Sequence, residues 1–482
     1  MLFNTFNFWI FFAVVFAFYC ALNHRWQNRL LLAASYYFYG CWDYRFLSLI
    51  AFTTLADFYI GAKIAKTSEP RQKKQWLLLS VVMNLTLLGF FKYFNFFVES
   101  AQTLLSNAGF HPAAWVLEIV VPPAISFYTF HEISYTVDVY RGHVKPARGL
   151  IDFAAFISFF PQLVMGPIGR ASWQLPQFEN PRRMTWDGWC DGTALILFGL
   201  FKKLCVADLL APMATQTFAD PAGCSPATLL FGLYCFSIQI YTDFSGYTDI
   251  ARGLAKLMGF ELIENFNHPY FSANITEFWR RWHISLSTWL RDYLYLPLGG
   301  NRFGAFKTYR NLFLTMFLGG LWHGAAWTYV IWGSLHGIYL ALHKYMLRGT
   351  KPAEIPPKDG FKNFSLYLLK VIFTFHLVTM TWIFFQPRSL SLSFQYLAGL
   401  WPFGLPMQSI ERVHFDIETV SLALWSVAAL VFLIEIPQYI RRDHCAMRRW
   451  SFALKTVGFA TLTLWLIMTR EIENVPFIYF KF

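Results

Sequence analysis

Charge is scarce in this chain: only 14% of its 482 residues are Asp, Glu, Lys or Arg, against roughly a quarter in an average soluble domain. No long polar stretch separates the apolar runs that recur from residue 7 to residue 470. That shortage excludes a string of soluble domains, although the length alone would accommodate about three, and it leaves one membrane domain over residues 1–482. The seven cysteines form no CxxC pair and keep no regular spacing, so neither a disulfide framework nor a zinc knuckle is indicated. No basic stretch precedes the first apolar run, and residues 7 to 22 therefore read as a retained span. Internal repeats, low-complexity tracts and long linkers are absent. The net charge of +12 has no continuous basic face behind it, because the Lys and Arg residues sit in short loops. Nucleic acid is thus not an expected partner, and membrane lipid headgroups are.

Hydrophobic residues make up 56% of the chain and aromatic residues 20%. A helix needs about 20 apolar residues to cross the hydrocarbon layer, and the clearest candidates are 7–22, 76–98, 120–139, 191–211, 226–242, 325–346, 364–385, 419–437 and 453–469. Residues 30–60, broken by Gly40, Asp43 and Arg45, and the glycine-punctuated 150–168 and 311–321 read as half-helices or re-entrant pieces. The basic loops Lys63–Lys74, Arg141–Arg148 and Arg441–Arg449 belong on the cytoplasmic side, and the loops 99–118 and 402–418 opposite, which puts the C-terminus outside.

The densest polar segment, Glu277 to Asp292, reads EFWRRWHISLSTWLRD. As one helix it would be amphipathic and interfacial, with Arg280, His283, Ser287 and Arg291 on one face and Phe278, Trp282, Leu286 and Leu290 on another. A plain anchor of arginines and tryptophans at headgroup level accounts for much of that pattern. His323 lies in GGLWHGAAW, where Gly319, Gly320 and Gly324 allow a backbone or a ligand to come close. Its bland alternative is a neutral imidazole bridging two helices, the reading also given to His336 and His343. A second polar stretch, YTDFSGYTD, carries Asp243, Ser245 and Asp249, and reads as a helix break whose carboxylates either bond structurally or orient a histidine or arginine. The Pro- and Gly-rich FPQLVMGPIGR, from Phe160 to Arg170, reads as a turn beside a cavity.

Imidazole exchanges protons near neutral pH and suits general-base catalysis. Beside arginines that can grip phosphate, histidines in an apolar site fit acyl transfer from an acyl-CoA thioester to an alcohol. Metal binding is not expected, since the two histidines are far apart in sequence and no carboxylate or thiolate spacing accompanies them.

The blocks FPQLVMGPIGR, YTDFSGYTDIARGLAKLMGF, NFNHPYF, EFWRRWHISLSTWLRDYLYLPLGGNR, GGLWHGAAWTYVIWGSLHG and the closing PFIYFKF together resemble the membrane-bound O-acyltransferase (MBOAT) family. Its bacterial branch of alginate and peptidoglycan O-acetylation membrane proteins is the most similar. The resemblance implies an all-α, multi-helix bundle with a central funnel or tunnel and re-entrant or interfacial helices. It implies His323 as the catalytic residue and His283 as the second signature histidine, assisting or shaping the site. It further implies acetyl-CoA or another acyl-CoA as donor, no bound cofactor, and transfer across a bacterial inner membrane. A periplasmic or membrane-tethered partner with a Ser-His-Asp hydrolase-like site would then acylate a polysaccharide. By the same resemblance, glutamine would be expected in many relatives where His131 stands. Donor-phosphate contacts are assigned to Arg280, Arg281 and Arg291, with Asp243 and Ser245 as further substrate-side residues; the same arginines could pair instead with Glu277 and Asp292. Two other classes stay open: a transporter or flippase of an acyl or lipid-linked sugar carrier, and a scaffold whose histidines are structural.

Overall fold

A backbone inside hydrocarbon must satisfy its own N–H and C=O groups, and a helix does so within one segment. The computed structural model describes residues 1–110, 116–347, 361–387, 389–401, 413–446, 450–469 and 477, and consists of helices and short turns with no strand among the described residues. The chain is an all-α membrane protein, as expected. Four helical runs, His24–Lys66, Pro70–Asn107, Asn363–Phe384 and Ile417–Arg441, are long and apolar enough to span. Most of the loop 402–418, part of 441–449 and all of PFIYFKF except Phe477 lie outside the described residues.

Backbone proximity divides the chain into two compact units, Met1–Thr193 with Ala251–Ile263, and Ala194–Ile250 with Glu264–Phe482. The first unit holds α1 (Phe6–Ala21), α2 (His24–Asp43), α3 (Leu47–Lys66), α4 (Pro70–Leu88), α5 (Phe94–Asn107), α6 (Ile125–Arg141), α7 (Leu150–Ser158) and α8 (Ala171–Glu179). Its polar groups turn inward: Asn84 donates to Asp57 at 2.6 Å, Thr54 to Glu132 at 3.2 Å, and Ser80 meets Thr136 at 3.0 Å. Phe6, Phe18 and Tyr37 face outward, an inside-out distribution that suits lipid, where polar side chains gain most by bonding between helices. Residues 30–60 depart from the half-helix expectation. A 3₁₀ turn at Tyr44–Phe46 separates α2 and α3, each of 20 residues, and each about 30 Å long at 1.5 Å per residue.

The 150–168 region does keep only a short helix. α7 ends at Ser158, and the FPQLVMGPIGR segment follows as a mostly buried turn in which Gly169 N–H donates to His131 Nε2 at 2.8 Å and Phe160 N–H to Ser35 at 3.0 Å. The imidazole of His131 thus serves as a buried acceptor for the backbone of this turn.

In the second unit, α9 (Trp186–Leu200) enters from the first, and α10 (Asp208–Ala219), α11 (Pro226–Leu257), α12 (Ile275–Arg281), α13 (Ile284–Leu290), α14 (Ala305–His323) and α15 (Trp327–Met346) follow. The remaining helices are α16 (Phe361–Thr381), α17 (Leu390–Gly399), α18 (Ile417–Ala429), α19 (Ile436–Arg441) and α20 (Phe452–Met468). π-helical segments at Phe201–Ala207, Arg291–Tyr295 and Leu430–Glu435 interrupt the regular geometry. Residues 311–321, expected to be a half-helix, lie instead within the 19-residue α14. α14 lies directly on α15 at a pair of glycines: a Cβ on Gly320 would stand 2.3 Å from the Tyr329 carbonyl oxygen, and one on Gly333 2.4 Å from that of Met316.

Candidate active site

The segment Glu277–Asp292 is not one amphipathic helix. α12 stops at Arg281, Trp282 is extended, and His283 adopts φ 43°, ψ 55° before α13 begins. A left-handed conformation costs a non-glycine residue about 1–2 kcal/mol, and a neighbouring strip of backbone holds it in place. Asn267 N–H donates to Arg281 C=O and Ile284 N–H to Asn265 C=O, each at 2.9 Å, while the Asn265 side chain accepts from Ser285 N–H at 3.2 Å and its hydroxyl at 2.9 Å. The break turns His283 off the expected polar stripe and into the protein, where it is fully buried.

There it meets His323. The two imidazole centroids lie 6.2 Å apart, although 40 positions separate the residues in sequence. Phe244 at 4.7 Å and Phe266 at 6.4 Å stand beside His283, while Trp332 at 5.1 Å and Phe385 at 5.3 Å stand beside His323. Trp322 flanks both rings, at 6.0 Å from His283 and 5.1 Å from His323. Neither nitrogen of His283 has a hydrogen-bond partner among the described residues. A buried polar group without a partner costs about 1–3 kcal/mol, so this imidazole is held in a state that a substrate group would relieve.

His323 ends α14, and Gly324 continues the chain in an extended conformation that any residue adopts. Glycine is required there by space, because a Cβ would stand 2.1 Å from the Tyr329 ring. Gly319 faces Leu290 in the same way, at 3.0 Å. The small residues around His323 thus admit neighbouring protein, which fixes the end of the helix that carries the imidazole. His336 is differently placed, receiving Trp279 Nε1–H at 3.2 Å on Nδ1 and facing Thr381 at 3.0 Å on Nε2. His343 bonds Thr276 at 2.8 Å.

Arg280 is exposed. Arg281 pairs with Glu277 at 2.6 Å and Arg291 with Asp292 at 2.7 Å, so two of the three arginines carry the local ion pairs that were the alternative to phosphate binding. The polar stretch at Tyr241–Asp249 is no helix break, since α11 runs through it unbroken. Gly246 packs on the Gly199 backbone, where a Cβ would stand 2.7 Å from the carbonyl oxygen. Asp243 meets Lys203 at 2.8 Å, and Ser245 is buried with its hydroxyl unbonded among the described residues.

Sequence reasoning missed the partners of this helix. Lys202 and Lys203, both buried in the π segment after α9, join Asp249 at 2.9 Å and Asp208 at 2.7 Å respectively. Lys202 also lies 3.4 Å from Glu435, which accepts from Tyr241 at 2.9 Å and bonds His268 closely. The available signal was ionisable residues inside the expected spans 191–211 and 419–437, which are costly and seldom idle at that depth.

The pattern of the membrane-bound O-acyltransferase family matches residues 82–386, which include both histidines of the chamber. The chain belongs to that family. It is a multi-pass membrane O-acyltransferase. The acyltransferase is 44% identical to the probable alginate O-acetylase AlgI of Pseudomonas putida, over 99% of each chain. It is 35% identical to the peptidoglycan O-acetyltransferase of Helicobacter pylori, over 79% of its own length and 75% of the relative's. A teichoic acid D-alanyltransferase of Bacillus subtilis is 28% identical, over 55% of this chain and 68% of the relative.

Proposed function

We propose that the acyltransferase takes a small acyl group, acetyl in the first instance, from cytoplasmic acetyl-CoA and passes it across a bacterial inner membrane for O-acylation of an envelope or exported polysaccharide. The observation that carries this reading is the meeting of His323 and His283 in one buried aromatic chamber, with the nitrogens of His283 unpartnered among the described residues. His323 takes the proton of the accepting hydroxyl as its oxygen attacks the thioester carbonyl. The C–S bond breaks, the C–O ester bond forms, and the proton passes to the departing thiolate, which restores the neutral imidazole. His283 supports the reacting groups from the facing wall. Of the three arginines, Arg280 alone has no carboxylate partner among the described residues and is best suited to donor phosphate. The alginate O-acetylase and peptidoglycan O-acetyltransferase relatives support a polysaccharide as the final acceptor, and a periplasmic or membrane-tethered protein with a Ser-His-Asp hydrolase-like site is the expected carrier between the two.

The test uses purified protein in nanodiscs with radiolabelled acetyl-CoA and the candidate partner. General-base catalysis contributes about 10²–10⁴-fold, so His323→Ala is expected to lower CoA release and label transfer by at least about 100-fold with an unchanged unfolding midpoint. Wild-type turnover by that variant would remove His323 from the role. A wild type that neither binds nor consumes any acyl-CoA would remove the donor and return weight to carrier transport.

A further inference from the structure

Glu435 lies outside the histidine chamber, yet three elements converge on its buried carboxylate. Tyr241 of α11 donates to one oxygen, Lys202 stands 3.4 Å from the same oxygen, and the other bonds Nδ1 of His268. Two of the residues involved sit in π-helical segments, Lys202 in Phe201–Ala207 and Glu435 at the end of Leu430–Glu435. Such segments are rare within helices and frequently mark functional sites.

His268 closes the strip that holds His283. It follows Asn265 and Asn267, whose backbone groups bond Ile284 and Arg281 on either side of the Trp282–His283 break. Between them Phe266 packs against His283 and, at 5.0 Å, against Trp282. His268 and His283 are both non-glycine residues with positive φ, at 47° and 43°, so the two ends of this pairing are strained and depend on their surroundings to stay in place. The ring of His268 also lies 6.1 Å from Phe271 and 5.8 Å from Tyr439, and Tyr439 is hydrogen-bonded through Tyr367 to the Phe271 carbonyl.

We infer that Glu435 is a positioning residue for acyl transfer: by anchoring His268 it fixes the 265–268 strip, and through it the left-handed turn that aims His283 at His323. Lys202 orients the carboxylate from 3.4 Å, and Asp249, 2.9 Å from Lys202, completes the network. The inference rests on the reading of the chamber as the site of acyl transfer.

The experiment is a double-mutant cycle on acyl-CoA turnover in nanodiscs with Glu435→Gln, His283→Ala and their combination, alongside His268→Ala as a second route to the same loss. Displacements of about 1 Å in an active site reduce rates by about 100-fold, so Glu435→Gln and His268→Ala are each expected to lower kcat by about 10- to 100-fold with little change in donor KM. Glu435→Gln added to His283→Ala is expected to cause no further loss. Independent losses that multiply would overturn the inference.

A readout without turnover accompanies it, diethylpyrocarbonate labelling of each histidine followed by mass spectrometry. His283 is expected to become reactive in Glu435→Gln and His268→Ala while His336, bonded at both nitrogens, stays protected. Exposure of both histidines would mark general loosening, and protection of both would show that His283 does not move; either overturns the inference. The labelling result stands even where His323→Ala retains full turnover, so failure of the chamber as the transfer site is distinguishable from failure of the anchor.

Discussion

Two groups of buried ionisable side chains lie in the second unit, and they are built on opposite principles. Around Lys202 and Lys203, four carboxylates, a tyrosine hydroxyl and His268 supply charge-assisted partners between 2.7 and 3.4 Å, apart from one closer bond. Around His283 the walls are aromatic, and its nitrogens have no partner among the described residues. In a low-dielectric interior an unpartnered polar group is costly, so full satisfaction points to structure and a deliberate vacancy of partners points to a ligand. Both groups use α11, through Phe244 on His283 and Asp243 and Asp249 on the lysines. The helix therefore connects the charged network to the wall of the chamber.

The comparison breaks most readily at Lys203. Lys203→Met removes a cation facing Asp208 and Asp243, and stripping one member from a buried ion pair costs about 3–5 kcal/mol. A large fall in unfolding midpoint, or failure to accumulate folded protein, is expected; a midpoint within a degree of wild type would show the charged region to be no stabilising base. His283→Phe makes the contrasting case. It replaces a buried imidazole lacking partners with an apolar ring of similar size, and such exchanges change stability by less than about 1.5 kcal/mol. Thermal unfolding should be nearly unchanged while acyl transfer falls, and destabilisation matching Lys203→Met would erase the distinction between the two groups.

The smallest stability effect belongs to Arg291. Its side chain is 60% exposed in the pair with Asp292, and exposed pairs contribute about 0–1 kcal/mol. Arg291→Ala should leave the unfolding midpoint in place, so a several-fold rise in acyl-CoA KM would assign it to donor phosphate and an unchanged KM would leave it a local ion pair.

Much of this architecture was legible because lipid imposes a simple rule. Long apolar runs became helices, and a histidine flanked by glycines stood out in a segment that should avoid ionisable groups. The same rule, applied to Lys202, Lys203 and Glu435 within their apolar runs, would have flagged the charged network too. The Trp282–His283 break carried no such warning. EFWRRWHISLS contains neither proline nor glycine, and its helical periodicity is overridden by backbone bonds to Asn265 and Asn267. The opposite error, at YTDFSGYTD, has the same origin: side chains that favour breaks in isolation remain helical when Lys202 and Lys203 neutralise Asp249 and Asp243 and Gly246 packs on Gly199.

From its sequence alone this protein is a many-helix membrane acyltransferase with two histidines worth suspecting, because hydropathy and residue type are properties each segment carries by itself. That the histidines face each other at 6.2 Å, that the glycines beside one of them serve close packing, and that a distant carboxylate holds the strip beneath the other depend on pairings that reach across as many as 167 positions of chain. Such pairings exist only once separate helices have packed, since no local pattern specifies which partner a buried polar group will find.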